Sequence, residues 1–171
     1  MRIALTGVKH SGKSTVAREI ATLTGQQVLD TDDLICRTYN VDSPRALFHR
    51  DGAGRFREAE LKIVETLGQT EGDDLVLATG GGIADNGVAL AKLTESFTLV
   101  YLAEDPSVLY DRIMTGGRPP FLPEEGTYLA FLRLFRRRDR TYRRWATLTY
   151  PVQGESVARV AEGILRKLRS S

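Results

Sequence analysis

The chain has only one cysteine, Cys36, among its 171 residues. A single cysteine cannot form an internal disulfide, which is typical of proteins from reducing compartments. No apolar run approaches the roughly 20 residues that a membrane-spanning helix needs. The first residues also lack the basic and then apolar segments of a secretory signal. We therefore expect a cytoplasmic protein without membrane contact.

The chain also lacks a large excess of either positive or negative charge. Lysine and arginine number 24 and aspartate and glutamate 22, giving a formal net charge of +2. This balance gives no general reason to bind nucleic acid. The basic segment 136–144 is either a solvated helix face or a site for a small anion, with nucleic acid the weakest interpretation. The length predicts a single domain over 1–171, and we expect a monomer that binds small molecules.

Short apolar runs alternate with helical patterns along the chain. This alternation predicts an α/β fold of three layers, with a five-stranded parallel sheet between helices. Right-handed crossovers would place the carboxyl ends of the strands along one edge, where ligands bind. The predicted strands are 3–5, 27–29, 75–78, 98–102 and 147–152, and the predicted helices are 13–24, 32–39, 44–49, 55–69, 86–93, 106–115, 127–146 and 156–168.

A phosphate-binding loop directly follows the first predicted strand. Residues 7–14 read Gly-Val-Lys-His-Ser-Gly-Lys-Ser, the spacing in which two glycines let several backbone N–H groups converge. Lys13 adds a positive charge there, the Ser14 hydroxyl can hold Mg²⁺, and a following helix points its positive end at the same place. The motif predicts a site for the triphosphate of ATP or GTP. The residues assigned to it are Gly7, Gly12, Lys13, Ser14 and Thr15.

Two carboxylates, Asp30 and Asp32, stand where the second strand gives way to a helix. Beside a phosphate loop, one such carboxylate holds Mg²⁺ directly or through water. The other can accept a hydrogen bond from the hydroxyl that will be phosphorylated. The alternative is that Thr31 or Asp32 only caps the following helix.

Three consecutive glycines, Gly80, Gly81 and Gly82, follow the third strand. Glycine is entropically costly, so three in a row indicate that something approaches the backbone closely, such as a ligand hydroxyl or ring. The alternative is an ordinary strand-to-helix turn.

Two arginines have alternative interpretations. Arg57 lies on a predicted helix and either pairs with Glu60 or Leu61 on the same helix face or binds a small carboxylated substrate. Arg118 lies in the Gly- and Pro-rich segment 115–126, which predicts a mobile loop. A loop arginine is usually solvated, but in phosphoryl transfer it can close over the phosphates and neutralise charge.

In this order, the motifs resemble those of the shikimate kinase family, a small branch of the nucleoside-monophosphate-kinase-like P-loop group. The resemblance runs from the first strand to about Ala146. It implies that Asp30 serves Mg²⁺ and that Asp32 holds the acceptor hydroxyls. It implies that Arg57, in the segment Phe56-Arg57-x-x-Glu60, binds the carboxylate of the acceptor. It implies the same role for Arg138, which lies four residues before Tyr142. The triple glycine would line the acceptor ring.

The resemblance also implies a reaction and a lid. The γ-phosphoryl group of MgATP would pass to the 3-hydroxyl of shikimate, giving shikimate 3-phosphate and ADP on the route to aromatic amino acids. The acceptor would lie against helices within about 32–69, while Arg112 would end the helix that covers adenine. The residues assigned to catalysis are Lys13, Asp32 and Arg118.

Some positions depart from the family pattern. The lid reads Arg118-Pro119-Pro120-Phe121, where the family usually has two leucines after Arg-Pro, and Asp139 stands beside Arg138. A carboxylate next to an anion-binding arginine is expected to weaken substrate binding. Two alternatives stay open: a kinase for another small carboxylated polyol such as gluconate, and a catalytically silent nucleotide-binding regulatory module.

Overall fold

The structure of the protein, a computed structural model, describes residues 1–70, 72, 74–116, 122–125 and 127–170. Within these ranges, no helix combines the length and hydropathy needed to cross a bilayer. The elements are β1 (Arg2–Thr6), α1 (Lys13–Thr24), β2 (Gln27–Asp30), α2 (Thr31–Tyr39), α3 (Pro44–Gln69), β3 (Leu75–Ala78), a short 3-10 helix (Ile83–Asp85), α4 (Gly87–Ser96), β4 (Thr98–Ala103), α5 (Pro106–Thr115), α6 (Thr127–Trp145), β5 (Leu148–Pro151) and α7 (Val157–Arg169).

The five strands form one parallel sheet in the order β2-β3-β1-β4-β5. β1 lies at its centre, with Ala4 level with Leu77 of β3 and Leu99 of β4. Each observed strand agrees with its predicted range to within one residue at either end. The predicted five-stranded parallel sheet is therefore confirmed.

Helices cover both faces of the sheet, because successive strand side chains point to opposite sides. Ile3 and Leu5 pack on one face against buried side chains of α1 and α7. Ala4, between them, belongs to the core on the other face, which α2 to α6 cover. Both faces of the sheet are apolar, as expected for a parallel sheet between two helical layers. The three-layer architecture is thus confirmed.

The region predicted as two helices, 44–49 and 55–69, forms a single element with a break. Ser43 begins α3 by accepting a hydrogen bond from the backbone N–H of Ala46 at 3.1 Å, and Pro44 occupies the first turn. Gly52, at φ 83° and ψ 171°, interrupts the helical backbone. This positive φ suits glycine, so the interruption falls at a residue that tolerates it.

Three segments meet at the carboxyl edge of the sheet. The phosphate loop follows the central β1, α2 follows β2, and the triple-glycine turn follows β3, between them in the strand order. The backbone N–H of Gly80 donates to the hydroxyl of buried Thr31 at 2.8 Å, which links the triple-glycine turn to the start of α2. The topology thus brings together segments that are far apart in the sequence.

Candidate active site

A cleft of about 970 Å³ opens at this edge of the sheet, a volume at the upper end of the range for small-molecule sites. Most of the residues predicted from the sequence line it. On the phosphate side these are Gly12, Lys13, Ser14, Thr15, Asp30 and Asp32, and on the other side Gly81, Gly82 and Arg138. Four other predicted residues that the structure describes are not part of the lining: Gly7, Arg57, Gly80 and Arg112.

The phosphate loop leads into a helix whose first turn has no side-chain cap within the part of the chain that the structure describes. Gly7 begins it directly after β1, and α1 starts at Lys13. Gly12 adopts φ 90° and His10 φ 67°, both left-handed conformations that turn the backbone sharply. No side chain in the described chain caps α1, so its first N–H groups are available to a bound phosphate.

Lys13 is the buried cation of the site. Its Nζ donates to the carbonyl of Val8 at 3.1 Å, inside the loop. Burial lowers the pKa of Lys13 to about 8, and the nearby carboxylates of Asp32 and Asp30 oppose that fall. The lysine is therefore largely charged at neutral pH. A bound triphosphate would stabilise this buried charge further.

Ser14 and Asp30 form a pair that fits Mg²⁺. The Ser14 hydroxyl donates to Asp30 Oδ2 at 2.6 Å, while Asp30 Oδ1 caps α2 by accepting from the backbone N–H of Asp32 at 2.9 Å. Magnesium prefers oxygen ligands and takes most of them from water and substrate phosphates. One hydroxyl and one carboxylate are therefore sufficient protein ligands. The described residues contain no group of three or more acidic, His or Cys side chains placed for a metal.

Asp32 presents a second carboxylate to the cleft. Burial raises the pKa of Asp32, with a further rise from the charge of Asp30 and an opposing effect from Lys13. Its Oδ1 lies only 2.8 Å from where a β-carbon on Gly80 would stand, so the carboxylate uses space that a side chain there would take. A carboxylate with a raised pKa is better suited to accept a proton.

The triple glycine allows two loops to pack together. A β-carbon on Gly81 would lie 2.7 Å from the backbone nitrogen of Lys9 and 3.1 Å from its Cα. The sequence predicted a close approach to this backbone by a ligand, and the structure shows such an approach by the phosphate loop itself. Gly81 and Gly82 also line the cleft, so contact with a ligand stays a prediction.

We expect the Gly81→Ala variant to raise the KM for ATP about tenfold or more, because a displaced loop misplaces the phosphates. Steady-state kinetics at varied ATP measures this. Gly87→Ala is the matched control, since a β-carbon there meets nothing within 4 Å. If Gly81→Ala had the same KM for ATP as the Gly87→Ala control, the phosphate loop would accommodate the added methyl group without an effect on ATP binding, and the prediction would be wrong.

Arg138 lines the cleft from α6, but Asp139 does not pair with it. Asp139 accepts hydrogen bonds from the Tyr101 hydroxyl at 2.8 Å and from Arg143 Nε at 2.9 Å. The carboxylate beside Arg138 is that of Asp85, 2.7 Å from Arg138 Nη2. The concern that Asp139 weakens this arginine therefore does not fit the geometry. The reason is that consecutive helical residues point in different directions.

Arg57 is exposed on α3. Its backbone carbonyl accepts a hydrogen bond from Asn86 Nδ2 at 3.0 Å, and the same Nδ2 donates to Glu60 Oε2 at 3.0 Å. Glu60 is buried and bonded to Asn86 rather than paired with Arg57 across the helix face. Burial raises the pKa of Glu60 to about 7, although the hydrogen bond from Asn86 acts in the other direction.

This raised pKa predicts a pH dependence of stability. Glu60 releases its proton near pH 4.5 when unfolded and near 7 when folded, so its contribution to the free energy of unfolding falls as pH rises between these values, by on the order of 2–3 kcal/mol. Urea unfolding of Glu60→Gln should lack that part of the decline. The exposed Glu58→Gln is the control and should follow the wild type. Identical pH dependence in all three proteins would contradict the prediction.

Arg112, predicted to end the helix that covers adenine, contacts the phosphate loop. Its Nη1 donates to the carbonyl of His10 at 3.0 Å, and its Nη2 lies 3.2 Å from Glu104 Oε2. The Glu104 side chain is only 2% exposed. Arg112 thus links a buried carboxylate to the loop. The predicted lid residue Arg118 lies outside the described residues, as do 117–121 and 126.

A family model for shikimate kinase matches residues 9–169. The chain belongs to the shikimate kinase family. Shikimate kinase from Nitrosococcus oceani is 34% identical over 168 residues, which span 98% of this chain and 86% of that protein. Shikimate kinase from Paracidovorax citrulli is also 34% identical, over 170 residues, 98% of this chain and 92% of that protein. The resemblance based on separate motifs is thereby confirmed.

Solved structures agree with membership of the shikimate kinase family. Shikimate kinase from Acinetobacter baumannii in complex with shikimate matches with a TM-score of 0.87 at 30% identity, over 98% of this chain and 92% of that chain. A gluconokinase from Sinorhizobium meliloti reaches a TM-score of 0.60 at 17% identity, over 99% of this chain and 91% of that one. The second match reflects the common fold alone.

Sequence reasoning missed some polar residues of this shikimate kinase family site. Arg45 lines the cleft from the first turn of α3, and its Nε donates to His49 Nε2 at 3.1 Å. A signal was available, because Ser43-Pro44 marks the start of that helix. For Asp85, three residues after the triple glycine, and for buried Glu104, no comparable pattern exists in the sequence.

Proposed function

We propose that this protein transfers the γ-phosphoryl group of MgATP to the 3-hydroxyl of shikimate, giving shikimate 3-phosphate and ADP. The observation that carries the proposal is the position of Lys13, Asp32 and Arg138 around one cleft. They supply a cation for phosphate, a carboxylate for a hydroxyl and a cation for a carboxylate. The names of the relatives add independent support.

The phosphate side would hold the nucleotide. The open start of α1 and the buried ammonium of Lys13 would bind the β- and γ-phosphates. Ser14 and Asp30 would hold Mg²⁺, which when bound neutralises negative charge on the phosphates. Arg112 would lie between the phosphate loop and the base. Arg118 would close over the phosphates with the lid, a role that rests on the resemblance alone.

The opposite side would hold the acceptor. Arg138 and Arg57 would bind its carboxylate, and Gly81 and Gly82 would lie against its ring. The exposed Arg57 is not in the cleft lining, so its share in this binding rests on the family motif rather than on a contact.

The chemical step needs only positioning and charge stabilisation. The acceptor oxygen forms a bond to the γ-phosphorus while the bond from that phosphorus to the β–γ bridging oxygen breaks. ADP leaves with the electron pair, and the proton of the acceptor hydroxyl passes to the carboxylate of Asp32. Lys13 stabilises the charge on the transferred group and on the leaving oxygen.

The test is ADP release from MgATP with shikimate, with gluconate and without acceptor. Turnover that requires shikimate is the expected result. Turnover with gluconate alone would keep the kinase chemistry and reject the acceptor. ATP binding without turnover on either acceptor would support the nucleotide-binding regulatory module instead.

A further inference from the structure

Arg138, the cleft-lining arginine, is held by a carboxylate of the protein itself. Its Nη2 and Nε donate to Asp85 Oδ2 at 2.7 and 3.1 Å. The other oxygen, Asp85 Oδ1, accepts from Arg137 Nη2 at 3.0 Å. The Arg138 side chain is 19% exposed and that of Arg137 is 60% exposed. Asp85 therefore joins an arginine of the site to an arginine of the surface.

The pairing uses one side of the Arg138 guanidinium. A guanidinium carries five N–H donors in a rigid plane, and Asp85 takes two of them on the edge formed by Nε and Nη2. Among the described residues, Arg138 Nη1 has no hydrogen-bond partner. The terminal edge formed by Nη1 and Nη2 is thus available to a ligand carboxylate, which fits that edge with two hydrogen bonds.

Asp85 belongs to the same turn as the cleft-lining glycines. Its backbone N–H donates to the carbonyl of Gly82 at 2.9 Å. One helical turn beyond Arg138, the Tyr142 hydroxyl donates to the carbonyl of Gly81 at 3.1 Å. Two contacts therefore join the triple-glycine turn to α6, and of the two α6 side chains Arg138 lines the cleft while Tyr142 is not part of the lining.

We propose that Asp85 is a positioning residue that orients the terminal edge of Arg138 towards the carboxylate of the acceptor. This rests on the proposed function and deepens it. Two arginines and one aspartate leave a net charge of +1, so the cluster still attracts an anion. Without Asp85, the long side chain of Arg138 would sample other rotamers and would have to be ordered at each binding event.

The experiment is steady-state kinetics of Asp85→Ala and Asp85→Asn, with shikimate and ATP varied separately. Asp85→Ala should raise the KM for shikimate about tenfold, the size of one lost charge-assisted hydrogen bond. Asp85→Asn retains an acceptor oxygen of similar size and should raise it less. The KM for ATP and kcat should change by less than about twofold, as expected for an effect confined to acceptor binding.

Glu95→Ala is the matched control, because Glu95 forms an exposed ion pair with Lys92 on α4 and is not part of the cleft lining. It should leave both KM values unchanged, and thermal unfolding of each variant reports any general loss of fold. An unchanged or lower shikimate KM in Asp85→Ala would overturn the inference, the lower value identifying Asp85 as a competitor of the acceptor. Equal rises in both KM values would also overturn it. Wild-type enzyme without shikimate-dependent turnover would reject the proposed function and this inference together.

Discussion

The Lys13→Met variant is expected to lose about 10³-fold in kcat, since we propose that this buried charge stabilises the transferred phosphoryl group mainly in the transition state. Methionine is similar in length and apolar, so the buried position tolerates it. The substitution removes an ammonium group that burial has partly desolvated, and this desolvation lowers the pKa of Lys13 to about 8. Such a charge interacts strongly with a ligand because little water screens it. Steady-state measurement of ADP formation at saturating shikimate and ATP tests this expectation.

Lys9→Met provides the control for total charge. Lys9 belongs to the same loop and lines the same cleft, but it is exposed. Its charge is screened by solvent, so the loss in kcat should stay below about tenfold. If Lys13→Met kept more than a tenth of the wild-type kcat, the transition-state role of Lys13 would be wrong. Similar losses in both variants would show that general positive charge, rather than the position of Lys13, matters.

The Asp32→Asn variant is expected to lose on the order of 10³-fold in kcat, within the range for removal of a general base. Asparagine preserves the shape and can still accept a hydrogen bond, so the change isolates the basicity of the carboxylate. The raised pKa of Asp32 also predicts that activity falls at low pH as this carboxyl becomes protonated. The residual activity of Asp32→Asn should not show this fall in kcat at low pH, the acidic limb of the pH profile. The measurement is kcat against pH for both enzymes.

Asp33→Asn is the neighbouring control, because Asp33 is exposed on the same helix and is not part of the cleft lining. It should retain the wild-type pH profile. If Asp32→Asn kept its kcat within tenfold and retained the acidic limb, Asp32 would orient the acceptor without taking its proton.

Local patterns predicted well where the residues in and beside the phosphate loop lie in the fold. The geometry of Gly12, Lys13 and Ser14 follows from consecutive residues whose backbone conformations and charges act over a few ångströms. The adjacent Asp30 and Asp32 follow a strand whose end the apolar pattern locates, so their place at the sheet edge follows from topology. In this part the sequence predicted both the residues and their arrangement around one cleft.

The sequence was less informative where partners are far apart in the chain. It assigned Arg138 to an anion but gave Asp139, its immediate neighbour, as the nearby carboxylate. The fold instead brings Asp85 to Arg138 from 53 residues away. It likewise places the Lys9 backbone against Gly81, and it buries Glu60 with Asn86. No spacing rule connects these residues.

The sequence by itself determined the alternation of strands and helices, the phosphate loop and the family of this protein. Each depends on local periodicity or on a motif of contiguous residues. The tertiary structure alone decided which carboxylate contacts Arg138, why a side chain on Gly81 would collide with the Lys9 backbone, and that burial raises the pKa of Glu60. These properties depend on contacts and burial between distant segments, and such contacts arise only when the crossovers bring the ends of the strands together.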